Sequence, residues 1–533
     1  MFDFTGGRYP PDGDISRTPS FMSLENQNFL HFPMGMGQSE DNIASVLRNF
    51  WPTLQGAVMR GGCRKICSLQ NKSRVTSAFS YNSESQQRIF LANHQEIYDV
   101  TYASLQEPVS ACVSEMKSGD WSTFQHTTPE QTFLIAVNGR DKRQIYDGKE
   151  WISDLPHMQM NFEGHDNMSS EQLFYGWLFK NRQWYIASES MDAWYLPIRC
   201  LGGTAKLFPL GGVMQKGGSL LAGFAWSTES GNGLSTFCVF LSTMGEVAVY
   251  AGDDPEDASS FSLKALYHIG RPLGKNAIAV VKNDVWIATI NGLISMKSIL
   301  LREGKEPFPL SWAIQEEWNQ AIMAAPTGWV LTLWEKRNML LVSCPQNPIL
   351  SDKTFVMNVS NHHYWAIFHN WLTQSYVVSK ESLFFGDYEG GFWQGDVTGS
   401  DDHKPFFAAY LSPFREFISP YKTKKRACLA HITVQSCFRP YLKLFARADY
   451  DTSHPNFSKV TVNNNFIQNG IWDNSLWDDA TWTDDLFVKK KSIFHFCQNV
   501  MAYGHFLAVG CVIVSAGKWV NDIQIDNTKL LVE

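Results

Sequence analysis

Charge is scarce in this chain. Asp, Glu, Lys and Arg make up 18% of its 533 residues, where average domains carry about a quarter. The formal net charge of −7 argues against a nucleic-acid binder that works by a basic patch, because such binding needs clustered cations to displace counterions from phosphates. It leaves open a wall that DNA merely slides past. Helical periodicity is nearly absent as well, and the best candidate helix is PLSWAIQEEWNQAIMAA, Pro309 to Ala325. Long apolar runs are also missing. The longest, Val500 to Gly517, holds His505 and three glycines and reads as two buried strands joined at Gly510, so no membrane anchor is expected. The opening MFDFTGGRYPPDGDISRTP has neither a basic segment nor an apolar core, so it is not read as a secretory signal.

Sites for chemistry are equally hard to find. The ten cysteines are scattered and give no small disulfide framework. Cys63 and Cys67 have no companion ligand pair nearby, so they read as buried strand thiols and not as a zinc site. GGVMQKGGS, Gly211 to Ser219, has Gly218 where a phosphate-binding loop needs lysine, and is expected to be a glycine-rich turn. His362, His363 and His369 crowd into NHHYWAIFHNW, but strand alternation would part the adjacent rings and no carboxylate stands at ligand spacing. The acidic pairs Asp253 with Asp254, Asp401 with Asp402, and Asp478 with Asp479 sit in turn-like contexts where aspartate stays solvated. Neither a G-x-S-x-G elbow nor an H-E-x-x-H helix occurs. No catalytic residue, metal ligand or cofactor is assigned, and the chain is not read as an enzyme.

Aromatic residues are abundant at 14%, with 19 Trp and 36 Phe. They recur in units of strand, Gly/Asp/Asn turn and strand: FLIAVNGRDKRQIYDGKEW, QWYIASESMDAWYLP, CVFLSTMGEVAVYAGDDP, DVWIATINGLISM, MLLVSCPQNPIL and SLFFGDYEGGFWQGD. The NG, DG, MG and EGG turns are hairpin chemistry. The units fall about 40 to 60 residues apart, which is blade spacing for a β-propeller, with the blade count left open. The expectation is an all-β chain: an arm over 1–45, an irregular β-propeller over 46–403, and a C-terminal β-sandwich-like domain over 404–533.

That last region holds GIWDNSLWDDATWTDD, in which Trp472, Trp477 and Trp482 recur at five-residue steps. The step puts successive rings on opposite faces of a strand and turns them by about 140° on a helix, so the segment reads as turns and short strands. A sialidase-type Asp-box fails here, because Trp477 and Asp479 stand where aspartate and glycine belong. The three rings are expected either to staple this loop against a neighbouring surface, of its own propeller, of the next subunit or of another protein, with the aspartates keeping the rim wet, or to be buried as core within one subunit.

Several stretches in order then carry a resemblance: GAVMRGG, LIAVNGRDKRQIYDGKEW, the run from LFYGWLFKNRQWYIASES to VAVYAGDDPEDASSFSL, and YHIGRPLGKNAIAVVKNDVWIATINGLISM. Together they resemble the tail nozzle or tail hub proteins of short-tailed double-stranded DNA bacteriophages and their prophages, from about residue 50 to the end. No single motif is diagnostic; the order is. The resemblance implies a propeller with an added β-domain and a homohexameric ring beneath the portal and its adaptor protein. It further implies a channel that retains the genome and conducts viral dsDNA without sequence-specific binding, and contacts to tail fibre or spike proteins. The implied location is the virion tail, assembled in the host bacterial cytoplasm. From another class comes a host-surface propeller that binds or cleaves glycans, which would need aromatic platforms beside two placed carboxylates.

Overall fold

The structure, a computed structural model, describes residues 20–24 and 44–532, apart from 54–55, 154–157, 231–232, 301–307, 346–352, 361–363, 372, 417–423, 438, 454, 456–467, 470–479, 482–490 and 516–521. It is an all-β chain, an irregular β-propeller joined to a β-sandwich.

Among the described residues, seven small antiparallel strand groups follow one another along the chain and form the blades. Blade 1 is Ser77–Asn82, Gln87–Ala92 and Ile97–Asp99. Blade 2 is Ser122–Thr127, Thr132–Val137, Gln144–Tyr146 and Trp151–Ser153. Blade 3 is Leu173–Phe179, Arg182–Ala187, Asp192–Tyr195 and Gly203–Pro209, with Met160–Phe162 added in parallel at its edge. Blade 4 runs from Leu220–Ser230 to Ser262–His268, blade 5 from Ile278–Val281 to Gly292–Ser295, and blade 6 from Val330–Trp334 to Trp365–Phe368. Blade 7 takes Thr373–Ser379, Ser382–Asp387 and Gly391–Thr398 from the end of the run, and its outermost strand, Gly62–Ser68, from the beginning. The ring shuts where the innermost strands of blades 7 and 1 meet, with Ala78 N donating to Ser375 Oγ at 3.2 Å. Sewing an early strand into the last sheet ties the start of the propeller to its end.

Rings fill the gaps between blades. Between blades 3 and 4, Trp184 stacks on Trp177 at 5.9 Å and meets Phe208 and Phe240 edge-on at 5.6 and 5.5 Å. Beside blade 6, Trp318 of the expected helix, found at Gln315–Ala324, packs on Trp329 at 4.8 Å. Trp51, Trp184, Trp194, Trp226, Trp318, Trp329, Trp365 and Trp371 are all fully buried within one subunit. Much of the aromatic excess is therefore spent on blade-to-blade packing.

The sandwich has two facing sheets. Blade 6's outer strand continues through Val46–Arg48 and Phe406–Leu411 to Phe506–Ser515 and Tyr441–Ala448, so propeller and sandwich share one continuous sheet. The opposing sheet is built from Phe50–Thr53, Gly56–Met59, Gln524–Val532, Lys425–Ser436 and Ser492–Gly504. Tyr410, Leu444, Val509 and Ile513 pack across the gap on Ala430, Ile432, Val434 and Leu530.

Three expectations need correcting. Residues 46–59 belong to the sandwich and not to the propeller, which starts with Gly62–Ser68. Inside the expected arm, Ser20–Leu24 pairs with Gln524–Val532. The apolar run passes from one strand to the next at His505 and not at Gly510, and the two strands, Ser492–Gly504 and Phe506–Ser515, lie in opposite sheets of the sandwich. Gly510 lies mid-strand, where a Cβ would come within 2.4 Å of the Phe445 ring. The first of these strands is half-exposed and not buried, with Ile493, Met501 and Tyr503 60%, 76% and 64% exposed. Among the described residues no helix is long and apolar enough to cross a membrane.

Candidate functional site

Each blade's innermost strand begins at the same face of the propeller, and the seven beginnings surround a cavity of about 530 Å³ on the axis. Its wall includes Thr76, Asp120, Thr123, Arg271, Lys275 and Gln374. Lys275 is the buried charge here, with its side chain 4% exposed. Its Nζ donates to the Asp120 carbonyl at 2.7 Å and the Phe174 carbonyl at 3.5 Å, lies 3.3 Å from the Asp120 carboxylate, and sits 4.4 Å from the Phe174 ring centroid. Burial pulls the Lys275 pKa below the ordinary lysine value, and the neighbouring Asp120 opposes that shift. Lys275 thus ties the entrances of blades 2 and 3 to blade 5. The Asp120 carboxylate is 61% exposed at the mouth.

A second cluster joins propeller to sandwich. Arg60 is fully buried and makes a bidentate pair with Asp401, at 3.0 Å from Nη1 and 2.8 Å from Nη2. Its other donors reach Asn49 Oδ1 and the Gly61 and His369 carbonyls. Its plane lies 4.0 Å from the Phe406 ring and 4.7 Å from the Trp371 ring. Asp401 also accepts from Cys63 N and Trp371 Nε1 at 3.2 and 3.3 Å. Alongside, Asp396 accepts from Trp51 Nε1 at 2.9 Å and Gly61 N at 2.6 Å, and pairs with Arg337. The strand can come so close because Gly62 has no side chain: a Cβ there would stand 2.0 Å from the Ser400 carbonyl.

Trp472, Trp477 and Trp482 lie outside the described residues, as do Asp478, Asp479, His362 and His363. Asp401 is not a solvated turn residue, being the anion of the buried pair, whereas Asp253 and Asp254 do sit at the rim, against Lys180 and Arg182. His369 contributes its backbone to the junction, with its carbonyl on Arg60 and its N–H on Asn49. Gly211 to Ser219 is a turn whose Gln215 and Lys216 N–H groups both donate to the buried Glu246 carboxylate at 2.9 Å, so donors that a phosphate would need are already taken. Cys63 and Cys67 are buried strand thiols, and burial pushes Cys67 up to about 11. Sequence reasoning missed Arg60, Asp396, Lys275 and Arg271. The one local sign was an arginine set against paired glycines in MRGG.

No family model and no curated protein matches this chain. Among solved structures, it is similar to the extracellular domain of BT3049 from B. thetaiotaomicron, at 13% identity and TM-score 0.40 over 65% of this chain. The chain spans only 42% of that protein's length. It is also similar to the β-propeller domain of Myceliophteria thermophila Cps50 (Swd1), at 9% identity and TM-score 0.37, and to the computationally designed Ika8 protein, at 10% and 0.35; it covers 100% of each with 63% of itself.

Proposed function

We propose that the chain is a structural virion protein, the nozzle or hub subunit of a short phage tail. In this reading six copies form a ring that holds the packaged genome and conducts it during ejection, docked to the adaptor on one side and to fibre or spike proteins on the other. The observation that carries the reading is the sheet shared by blade 6 and the sandwich. Together with the buried Arg60–Asp401 pair, it makes two domains into one stiff body, as a subunit under load from pressurised DNA requires. The stretches behind the resemblance lie where this body is assembled. GAVMRGG enters the junction, YDGKEW makes the outer hairpin of blade 2, GEVAVY crosses blade 4 and NGLI closes blade 5.

Charge distribution favours contacts between copies. Residues 404–533 hold 15 Lys and Arg against 11 Asp and Glu, while the rest of the chain holds 30 against 41. A basic sandwich beside an acidic propeller suits head-to-tail association, the kind of contact that closes rings. The test is negative-stain imaging of the purified protein, alone and with its adaptor. A six-fold ring with an open centre is expected. A compact monomer that never joins the adaptor would overturn the reading.

A further inference from the structure

The axial mouth carries polar groups that the fold does not use. Arg271, Thr123 and Thr327 line the cavity, and their side chains have no hydrogen-bond partner among the described residues. Gln374 spends only its carbonyl oxygen, on Arg74 at 2.6 Å, and Asn276 spends only its amide, on the Trp121 carbonyl at 3.5 Å. These five groups come from blades 2, 5, 6 and 7 or the loops leading into them, so they surround the space instead of forming one patch. The contrast with a cavity of about 510 Å³ at the junction is instructive. There Arg337 is held by Asp396 and Lys336 by Glu381, so no cation is left over.

Each uncommitted group constrains the ligand. A planar guanidinium open to a cavity fits one carboxylate through two parallel N–H···O bonds. The Gln374 amide donates, the Asn276 carbonyl accepts, and the hydroxyls do either, which matches a ligand covered in hydroxyl groups. The exposed Asp120 carboxylate can accept from hydroxyls but repels a second negative charge. Lys275 offsets it, leaving Arg271 as the one net positive charge, so a polyphosphate does not fit. The volume lies in the usual small-ligand range of about 300–1,000 Å³.

We infer that the axial mouth of the propeller binds an acidic sugar, a hydroxyl-rich ring bearing a single carboxylate, with Arg271 on the carboxylate and Thr123, Asn276, Thr327 and Gln374 on the hydroxyls. The site needs only one subunit and holds whether or not the chain forms a ring. It is tested on the full chain by calorimetric titration with D-glucuronic acid, N-acetylneuraminic acid, glucose and sodium acetate. Saturable binding of at least one sugar acid is expected, with glucose and acetate each about ten-fold weaker, the loss of one charge-assisted pair or of the hydroxyl contacts. Arg271 is exposed, so Arg271→Gln folds normally; it should weaken the sugar acid about ten-fold and leave glucose unchanged. Thr123→Val should weaken both sugars. Absence of saturable binding by either acid, equal binding of acetate, or indifference to Arg271→Gln overturns the inference.

Discussion

Replacing Asp401 with Asn tests whether one buried ion pair holds the two domains together. Asp401 is the only carboxylate that Arg60 touches among the described residues, and the Arg60 side chain is 0% exposed. The amide keeps the shape but supplies one acceptor oxygen where the carboxylate supplied two, each serving the guanidinium. The cation is then left against Phe406 and Trp371, with neutral carbonyls and a ring face for company. Removing one partner of a buried pair costs about 3–5 kcal/mol, because the other charge stays desolvated and unpaired. Cation–π contact with the two rings offsets none of that, because wild type already has it. The measurement is urea unfolding followed by tryptophan fluorescence, which Trp51 and Trp371 report from the junction itself. The variant's midpoint should drop by the equivalent of about 3–5 kcal/mol, with the sandwich separating from the propeller first. A double change, Arg60→Met with Asp401→Leu, should regain most of the loss, since apolar replacement of a whole buried pair is often neutral. The exposed Lys117–Glu171 pair, 63% and 39% exposed, is the control, and Glu171→Gln should leave the curve unmoved. A shift for Asp401→Asn below about 1 kcal/mol, the range of surface pairs, would refute the reasoning.

His126 is 1% exposed and neither ring nitrogen has a partner; burial holds its pKa below the ordinary value. The native state therefore binds fewer protons than the unfolded chain, and stability is complete above about pH 6.5 and falls as pH drops toward the folded pKa. His126→Leu should flatten that slope, leaving the share from His431, whose pKa burial also lowers; urea midpoints at several pH values that show no difference would dismiss this. Gly62→Ala should destabilise by about 1–3 kcal/mol through overpacking against the Ser400 carbonyl, read by thermal melting. Lys65→Pro breaks the outer strand of blade 7 opposite Trp393 and should speed hydrogen exchange in Gly391–Thr398, with blades 3 and 4 still protected. If Trp472, Trp477 and Trp482 form a subunit contact, Trp477→Ala should abolish ring assembly while the monomer melts as wild type does; an unfolded monomer would point to core packing instead.

The fold was legible in the sequence wherever glycine made the turn. The DG and MG turns carry Gly148 and Gly245 at φ 95° and 82°, and both closed strand pairs that the pattern had marked. Turns made without glycine went unread. The first hairpin of blade 3 turns on Lys180 and Asn181 at φ 48° and 58°, and that of blade 7 on Lys380 and Glu381 at φ 46° and 63°. Side chains rarely adopt this region, so nothing local announces it, and the innermost strands Leu173–Phe179 and Thr373–Ser379 escaped the repeating units for that reason. Blade 1 was missed entirely. Its second turn is built by Asn93, whose Oδ1 accepts from the N–H groups of Gln95 and Glu96 at 2.9 and 2.7 Å, doing with a side chain what glycine does elsewhere with its freedom. The axial mouth was invisible for the same reason, because it is made where those unread innermost strands begin. The junction depended on pairs no window can see: Arg60 and Asp401 are 341 positions apart. What the sequence shows locally is blade periphery, and what it hides, the axis and the junction, is where the polar groups gather. A search for function in a chain of this kind should therefore begin at the strands with the weakest turn signals.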